Sequence, residues 1–236
     1  MGIVYSKSDR TFTIQTKNTT YQMQVDRFGF LLHLYYGKKT DGSCMDYLLT
    51  YYDRGFSGNP YDAGEDRTYS MDTLPQEFPC YGNGDFRSTA FAVENADGSM
   101  SCDLRYKSHK IFDGKYNLEG LPAVYASEQE AQTLEILMED PVTGVKVVLL
   151  YGVLPAQDII TRSVIVKNAG EASVTIRKAQ SACLDFLHGD YDLIKFYGRH
   201  AMERNMERVP VSHGSIRLGS RRGTSSHQYN PGVILA

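Results

Sequence analysis

Apolar and polar residues alternate over 12–14 and 21–25, and a longer apolar run covers 28–36 before Gly37-Lys38-Lys39. A period of two puts successive side chains on opposite faces, so these segments predict strands, with short turns at Asn18 and Asp26-Arg27. Further apolar segments cover 90–94, 101–106, 133–139, 145–153, 159–167, 173–177, 179–186 and 193–197. Turn residues separate them. Asn95-Ala96-Asp97-Gly98 predicts a hairpin that pairs 90–94 with 101–106. Asp140-Pro141-Val142-Thr143-Gly144, Asn168-Ala169-Gly170 and His188-Gly189-Asp190 predict three more turns. In 201–209, Glu203/Glu207 and Arg204/Arg208 sit four apart and would set like charges together on a helix, which favours an extended segment. No segment carries a helical stripe. The pattern predicts an all-β chain, a large antiparallel β-sandwich with few or no long helices.

Two stretches lack any period. Residues 53–66 are Gly-rich and acidic. Residues 72–87 combine Pro75 and Pro79 with Leu74, Phe78, Tyr81 and Phe86, so they predict an ordered, packed loop rather than a linker. At the other end, Pro231-Gly232 turns into Val233-Ile234-Leu235-Ala236, the opening of an apolar strand with no partner in the pattern. Residues 1–236 therefore read as one sandwich domain cut from a longer protein.

Composition narrows the function. Seventeen Tyr, ten Phe and no Trp suit half-buried strand surfaces. A net charge of −3 with scattered Lys and Arg argues against nucleic-acid binding. No apolar run is long enough to span a bilayer, and residues 1–7 do not resemble a secretory signal, so a cytoplasmic address and no membrane partner are expected. Cys44, Cys80, Cys102 and Cys183 are widely spaced and read as reduced, mostly buried thiols. The six histidines lack metal-ligand spacing and no phosphate-binding fingerprint is present, so no cofactor is expected. Ser225-Ser226-His227 has no nucleophile elbow around it. Asp53, Asp62, Glu65, Asp66, Glu77 and Asp85 cluster in the two irregular loops, but nothing sets two of them across a glycosidic bond. Arg54, Arg67, Arg87, Arg199, Arg221 and Arg222 read as loop clamps or surface charges.

Longer blocks carry a resemblance. They are Asp72-Thr73-Leu74-Pro75-Gln76-Glu77, Tyr81-Gly82-Asn83-Gly84-Asp85-Phe86-Arg87 and Glu94-Asn95-Ala96-Asp97-Gly98-Ser99. Gly120-Leu121-Pro122-Ala123-Val124-Tyr125, Ser181-Ala182-Cys183-Leu184-Asp185-Phe186, Tyr197-Gly198-Arg199 and Ser220-Arg221-Arg222-Gly223 continue them in order. Together they resemble the amino-terminal β-sandwich domain of α-galactosidases of glycoside hydrolase family thirty-six.

The resemblance implies a following β/α barrel that holds an aspartate nucleophile and an aspartate acid/base for retaining hydrolysis of melibiose- and raffinose-type α-galactosides. No position here matches either aspartate, so no catalytic residue is expected in this chain. It further implies a homotetramer in which a sandwich loop closes a neighbouring subunit's site. On the matching loop, Tyr52-Asp53-Arg54-Gly55-Phe56, Asp53 would accept hydrogen bonds from galactose hydroxyls. His200 stands where the family has a Trp against the sugar. The 72–87 stretch becomes a buttress for the Asp53 loop rather than a source of acid–base chemistry. The alternative is a stand-alone sugar-binding or structural sandwich without catalysis.

Overall fold

The computed structural model describes residues 2–53, 55, 58–121, 123–186, 189–221 and 228–236. Among these the regular structure is strand, apart from 3-10 turns at Asp46–Leu48 and Tyr61–Ala63. The chain divides into two compact units, Met1–Asp185 and Phe186–Ala236.

The first unit holds two four-stranded antiparallel meanders. One is β1 (Gly2–Ser6), β2 (Thr11–Gln15), β3 (Thr19–Val25) and β4 (Leu31–Lys38). A short pair follows, from β5 (Phe91–Asn95) and, much later in the chain, β10 (Val174–Ala179). The second meander is β6 (Arg105–Asp113), β7 (Gln132–Glu139), β8 (Val145–Leu154) and β9 (Ile159–Asn168). Alternation explains their inner faces. Leu134, Ile136 and Met138 on β7 are buried while Glu135, Leu137 and Glu139 between them are less so. Phe12, Ile14 and Met23 from the first meander share one core with Leu134, Ile136, Leu149 and Tyr151 from the second. The two sheets therefore make a sandwich, and each such fully buried side chain contributes roughly 1.5–3 kcal/mol.

The second unit is a three-stranded sheet ordered β12-β11-β13, from β11 (Asp192–Arg199), β12 (Met202–Pro210) and β13 (Tyr229–Leu235). Lys195 pairs with Glu207 across it at 3.2 Å, and Arg208 with Asp192 at 2.5 Å. Residues 202–209 are strand, as the charge pattern predicts, while Ala201 belongs to the turn before them. The final apolar segment does have a partner: β13 is antiparallel to β11, and Ala236 exchanges backbone hydrogen bonds with Asp192.

Other departures from the sequence reading have local causes. The turn at 95–98 forms, with Asn95 O accepting from Gly98 N, but 101–104 do not return along β5. The Asn95 amide binds Ser99 Oγ and Ser101 O, and Cys102 N donates to Tyr81 O, which draws the chain away. The place beside β5 goes to β10 instead. Residues 180–186 are not a strand, the ladder closing with Gln180 N on Ala90 O. β1 lay outside the predicted strands because Ile3 faces the core while Val4 and Tyr5 follow without polar alternation. Cys80 and Cys102 are buried, Cys44 and Cys183 half-buried, and all four are free thiols.

The 72–87 stretch runs as a strap beside β4: His33 N donates to Pro75 O at 2.7 Å and Glu77 N to Leu31 O at 2.9 Å. This hydrogen bonding directs Glu77 inward, where its side chain is 0% exposed. Its Oε1 accepts from Tyr21 Oη and Tyr151 Oη, each at 2.6 Å, and from Arg162 Nη1 at 2.5 Å. Its Oε2 accepts from Tyr21 Oη at 2.8 Å and faces His33 Nδ1 at 3.1 Å. These partners come from β3, β4, β8 and β9, so one carboxylate joins both sheets and the strap. The Arg162 guanidinium also lies over the Tyr151 ring, 4.0 Å from its centroid. Burial by itself pushes the Glu77 pKa up, but the charge of Arg162, the hydrogen bond and charge of His33 and the Tyr151 hydroxyl hold it down at about 2.

Glu77→Gln removes the anion and leaves Arg162 buried without its counter-charge, at an expected cost of about 3–5 kcal/mol. Urea titration checks this; an unchanged midpoint would contradict the role. The folded pKa lies below the ordinary 4.5, so this stabilisation is fully present above pH 4.5 and is lost as pH falls towards about 2. Titrations between those limits should show a steeper loss for the parent chain than for Glu77→Gln.

Candidate functional site

Within the first unit, the Asp53 loop follows the 3-10 turn at Asp46–Leu48. Leu49 packs against a second apolar cluster of Phe30, Leu32, Ala63, Tyr69, Met71 and Leu74, and Tyr51 stacks on Tyr69 with centroids 6.1 Å apart. Beyond that anchor the backbone is irregular. Arg54 and Phe56 lie outside the described residues. Asp53 Oδ1 accepts from Gly55 N at 2.6 Å, an Asx-type turn that favours an irregular path over a strand. Its Oδ2 faces Arg67 Nε at 3.3 Å, and Arg67 Nη2 donates to Gly55 O at 3.2 Å. The Asp53 side chain is 48% exposed, so its carboxylate is open to a ligand. Tyr47, Tyr52, Tyr61 and Phe86 are exposed as well.

The strap touches this loop directly. Gly84, at φ +95°, abuts Gly58, and a Cβ there would stand 3.0 Å from the Gly58 carbonyl oxygen, so glycine is needed both for the turn and for the close approach. Leu74 and Met71 form part of the cluster that seats Leu49.

Four of the other loop acids are occupied. Asp62 pairs with Arg105 at 2.9 Å and Asp66 with Arg27 at 2.6 Å. Asp85 is buried, accepting from Gln76 and from Arg87, whose Nη2 also reaches the carbonyl oxygens of Leu74 and Met71. Glu77 is committed to the core. Glu77 and Asp85 thus hold structure together, and Arg87 is a clamp.

His200 belongs to the second unit, exposed at the turn of the β11–β12 hairpin, where Arg199 pairs with Met202. Gly198 lets this turn close: a Cβ on it would meet Met202 O at 2.3 Å. The adjacent Ala201 has φ 60°, and its N–H donates to Glu203 Oε1 at 2.9 Å. Arg222 and the Ser225-Ser226-His227 run lie outside the described residues. Among the described residues no three His, Cys, Asp or Glu side chains group as metal ligands, and no helix is long and apolar enough to cross a membrane. Asp53 is marked in the sequence only by the family resemblance, and residue type alone leaves Arg67 between loop clamp and surface charge. The short distance between two oppositely charged loop residues was the available signal, and it needed coordinates.

Comparison with known proteins places this chain. Residues 29–236 match the Glycosyl hydrolase family 36 N-terminal domain. The chain is 61% identical over 236 residues to the bifunctional alpha-galactosidase/sucrose kinase AgaSK of Mediterraneibacter gnavus, covering 100% of this chain and 25% of that protein. The solved galactosidase domain of AgaSK superimposes with a TM-score of 0.95, over 100% of this chain and 32% of that one. A variant of the family 36 alpha-galactosidase AgaA from Geobacillus stearothermophilus, solved in complex with raffinose, is 43% identical with a TM-score of 0.90, over 95% of this chain and 31% of that one. The chain thus spans about a quarter to a third of the length of these relatives. Its sandwich architecture and its identity along its whole length agree: this chain belongs to the glycosyl hydrolase family 36 N-terminal domain family.

Proposed function

We propose that this chain is the amino-terminal part of an α-galactosidase that removes terminal α-D-galactosyl groups from melibiose- and raffinose-type oligosaccharides with retention. The observation that carries this reading is the 61% identity over the whole chain to a protein named for α-galactosidase activity. The AgaA complex with raffinose supports the substrate class. The catalytic aspartates lie outside these residues, and the part played here is to supply a substrate-site loop and oligomer contacts. Free cysteines are consistent with work in the reducing cytoplasm.

In this reading the full protein is a homotetramer, and the Asp53 carboxylate reaches the site of a neighbouring subunit. An ionised carboxylate only accepts hydrogen bonds and can serve two sugar hydroxyls at once. Tyr47, Tyr52 and Tyr61, near it in the chain and exposed, offer apolar faces with polar tips, the side chains favoured in protein contacts. His200, smaller than the Trp of the family pattern, would present its imidazole edge to the sugar.

The full-length polypeptide should hydrolyse an aryl α-galactoside, melibiose and raffinose, with α-galactose as the first anomer seen by proton NMR. Hydrolysis of another glycoside class, or release of β-galactose, would overturn the reading. In that enzyme Asp53→Ala should raise KM roughly tenfold or more, the worth of hydrogen bonds to a charged group. Its melting temperature should hold, since an exposed ion pair adds little stability. Unchanged KM and kcat would remove Asp53 from the site, and full activity in a monomer on sedimentation would remove the loop from a neighbour's site.

A further inference from the structure

We propose that Arg67 is the residue that positions Asp53 for the galactoside, an assignment that rests on the substrate role given to Asp53 above. Asp53 sits on backbone that no helix or sheet ladder holds, so something else must orient its carboxylate. Arg67 grips the turn at two points: Nε faces Asp53 Oδ2 at 3.3 Å and Nη2 donates to Gly55 O at 3.2 Å. The fixed fork of a guanidinium suits this double contact better than a point charge does. Gly55 N uses one of the roughly four acceptor positions of the carboxylate, and the Arg67 guanidinium faces the other oxygen as a charge partner, which leaves positions for sugar hydroxyls.

Arg67 is itself held from below. Asp66 Oδ1 accepts from Thr68 N at 3.0 Å and Thr68 Oγ1 at 2.6 Å, and Asp66 O accepts from Asn59 Nδ2 at 2.8 Å. Asp66 Oδ2 binds Arg27, whose guanidinium lies over the rings of Phe28 and Tyr69. Tyr69, the second residue after Arg67, is fully buried and donates its hydroxyl to Asp26. A continuous set of contacts therefore runs from the β3–β4 turn through Asp66 to Arg67 and on to Asp53. Arg67 is 63% exposed and Asp53 48%. Screened by solvent to this degree, the pair does little for folding. Its geometry serves orientation.

The test is a double-mutant cycle in the full-length polypeptide, with steady-state kinetics on an aryl α-galactoside and on raffinose. Arg67→Ala is expected to raise KM roughly three- to tenfold, as for loss of one ordering contact, with an unchanged melting temperature. Arg67→Lys should recover part of this, because its ammonium reaches the carboxylate without spanning to the Gly55 carbonyl. Arg67→Ala added to Asp53→Ala should cost nothing more, since a residue that acts through Asp53 has nothing left to position. If Arg67→Ala carries its full KM penalty in the Asp53→Ala background, it acts independently and the assignment falls. If Arg67→Ala leaves KM unchanged while Asp53→Ala raises it, positioning by Arg67 falls and Asp53 keeps its role. If Asp53→Ala is itself silent, both fall.

Discussion

Glu77 carries a full negative charge into the space between two sheets, and the first unit is arranged to receive it. An isolated carboxylate in that environment would be unstable as an anion, so hydroxyl, imidazole and guanidinium groups must converge on it. Tyr21, His33, Tyr151 and Arg162 do so from four strands, which ties the register of each meander to the other and both to the strap. A hydrophobic side chain at 77 could fill the volume without specifying these relations. We regard the carboxylate as a device of registration more than of net stability, since buried ion pairs offset much of their attraction by desolvation.

What the strap secures is felt in the Asp53 loop. Its Gly84 meets Gly58, its Leu74 helps to seat Leu49, and Arg67 closes the Asp53 turn from the far side. The arrangement has two tiers. A fully buried core supports a loop whose outer side chains are exposed, and the contacts that shape the loop are weak in energy but specific in direction. Loops that carry recognition groups on rigid scaffolds commonly divide the work in this way.

Most strands were legible in the sequence, and some of their partners were not. β7 and β8 were legible because an alternating segment and a nearly all-apolar one flank a strong turn, and they pair residue for residue from Gln132↔Val153 to Glu139↔Lys146. The turn at 95–98 carried an equally strong signal, yet β5 pairs with β10, since the Asn95 amide and the Tyr81 carbonyl capture the chain that would have come back. Turn chemistry reports a local change of direction. It does not say which strand will be waiting. The same limit applied to the loop acids: residue type showed that Asp53, Glu77 and Asp85 could each be charged, and gave no ground for separating an exposed carboxylate from two buried ones.

Local order along the chain, meaning strand periodicity, turn positions and the absence of helical stripes, was settled by residue type and spacing, because side-chain alternation is a property of neighbouring residues. Family membership was legible for a similar reason, being carried by contiguous blocks such as Tyr81-Gly82-Asn83-Gly84-Asp85-Phe86-Arg87. The roles within those blocks were not. The groups that hold Glu77 lie between 44 and 85 residues away from it in the chain, and Arg67 reaches Gly55 across 12. Only folding brings such charges within hydrogen-bond distance, and only then does one aspartate become a presented carboxylate while a nearby glutamate becomes the anchor of the core.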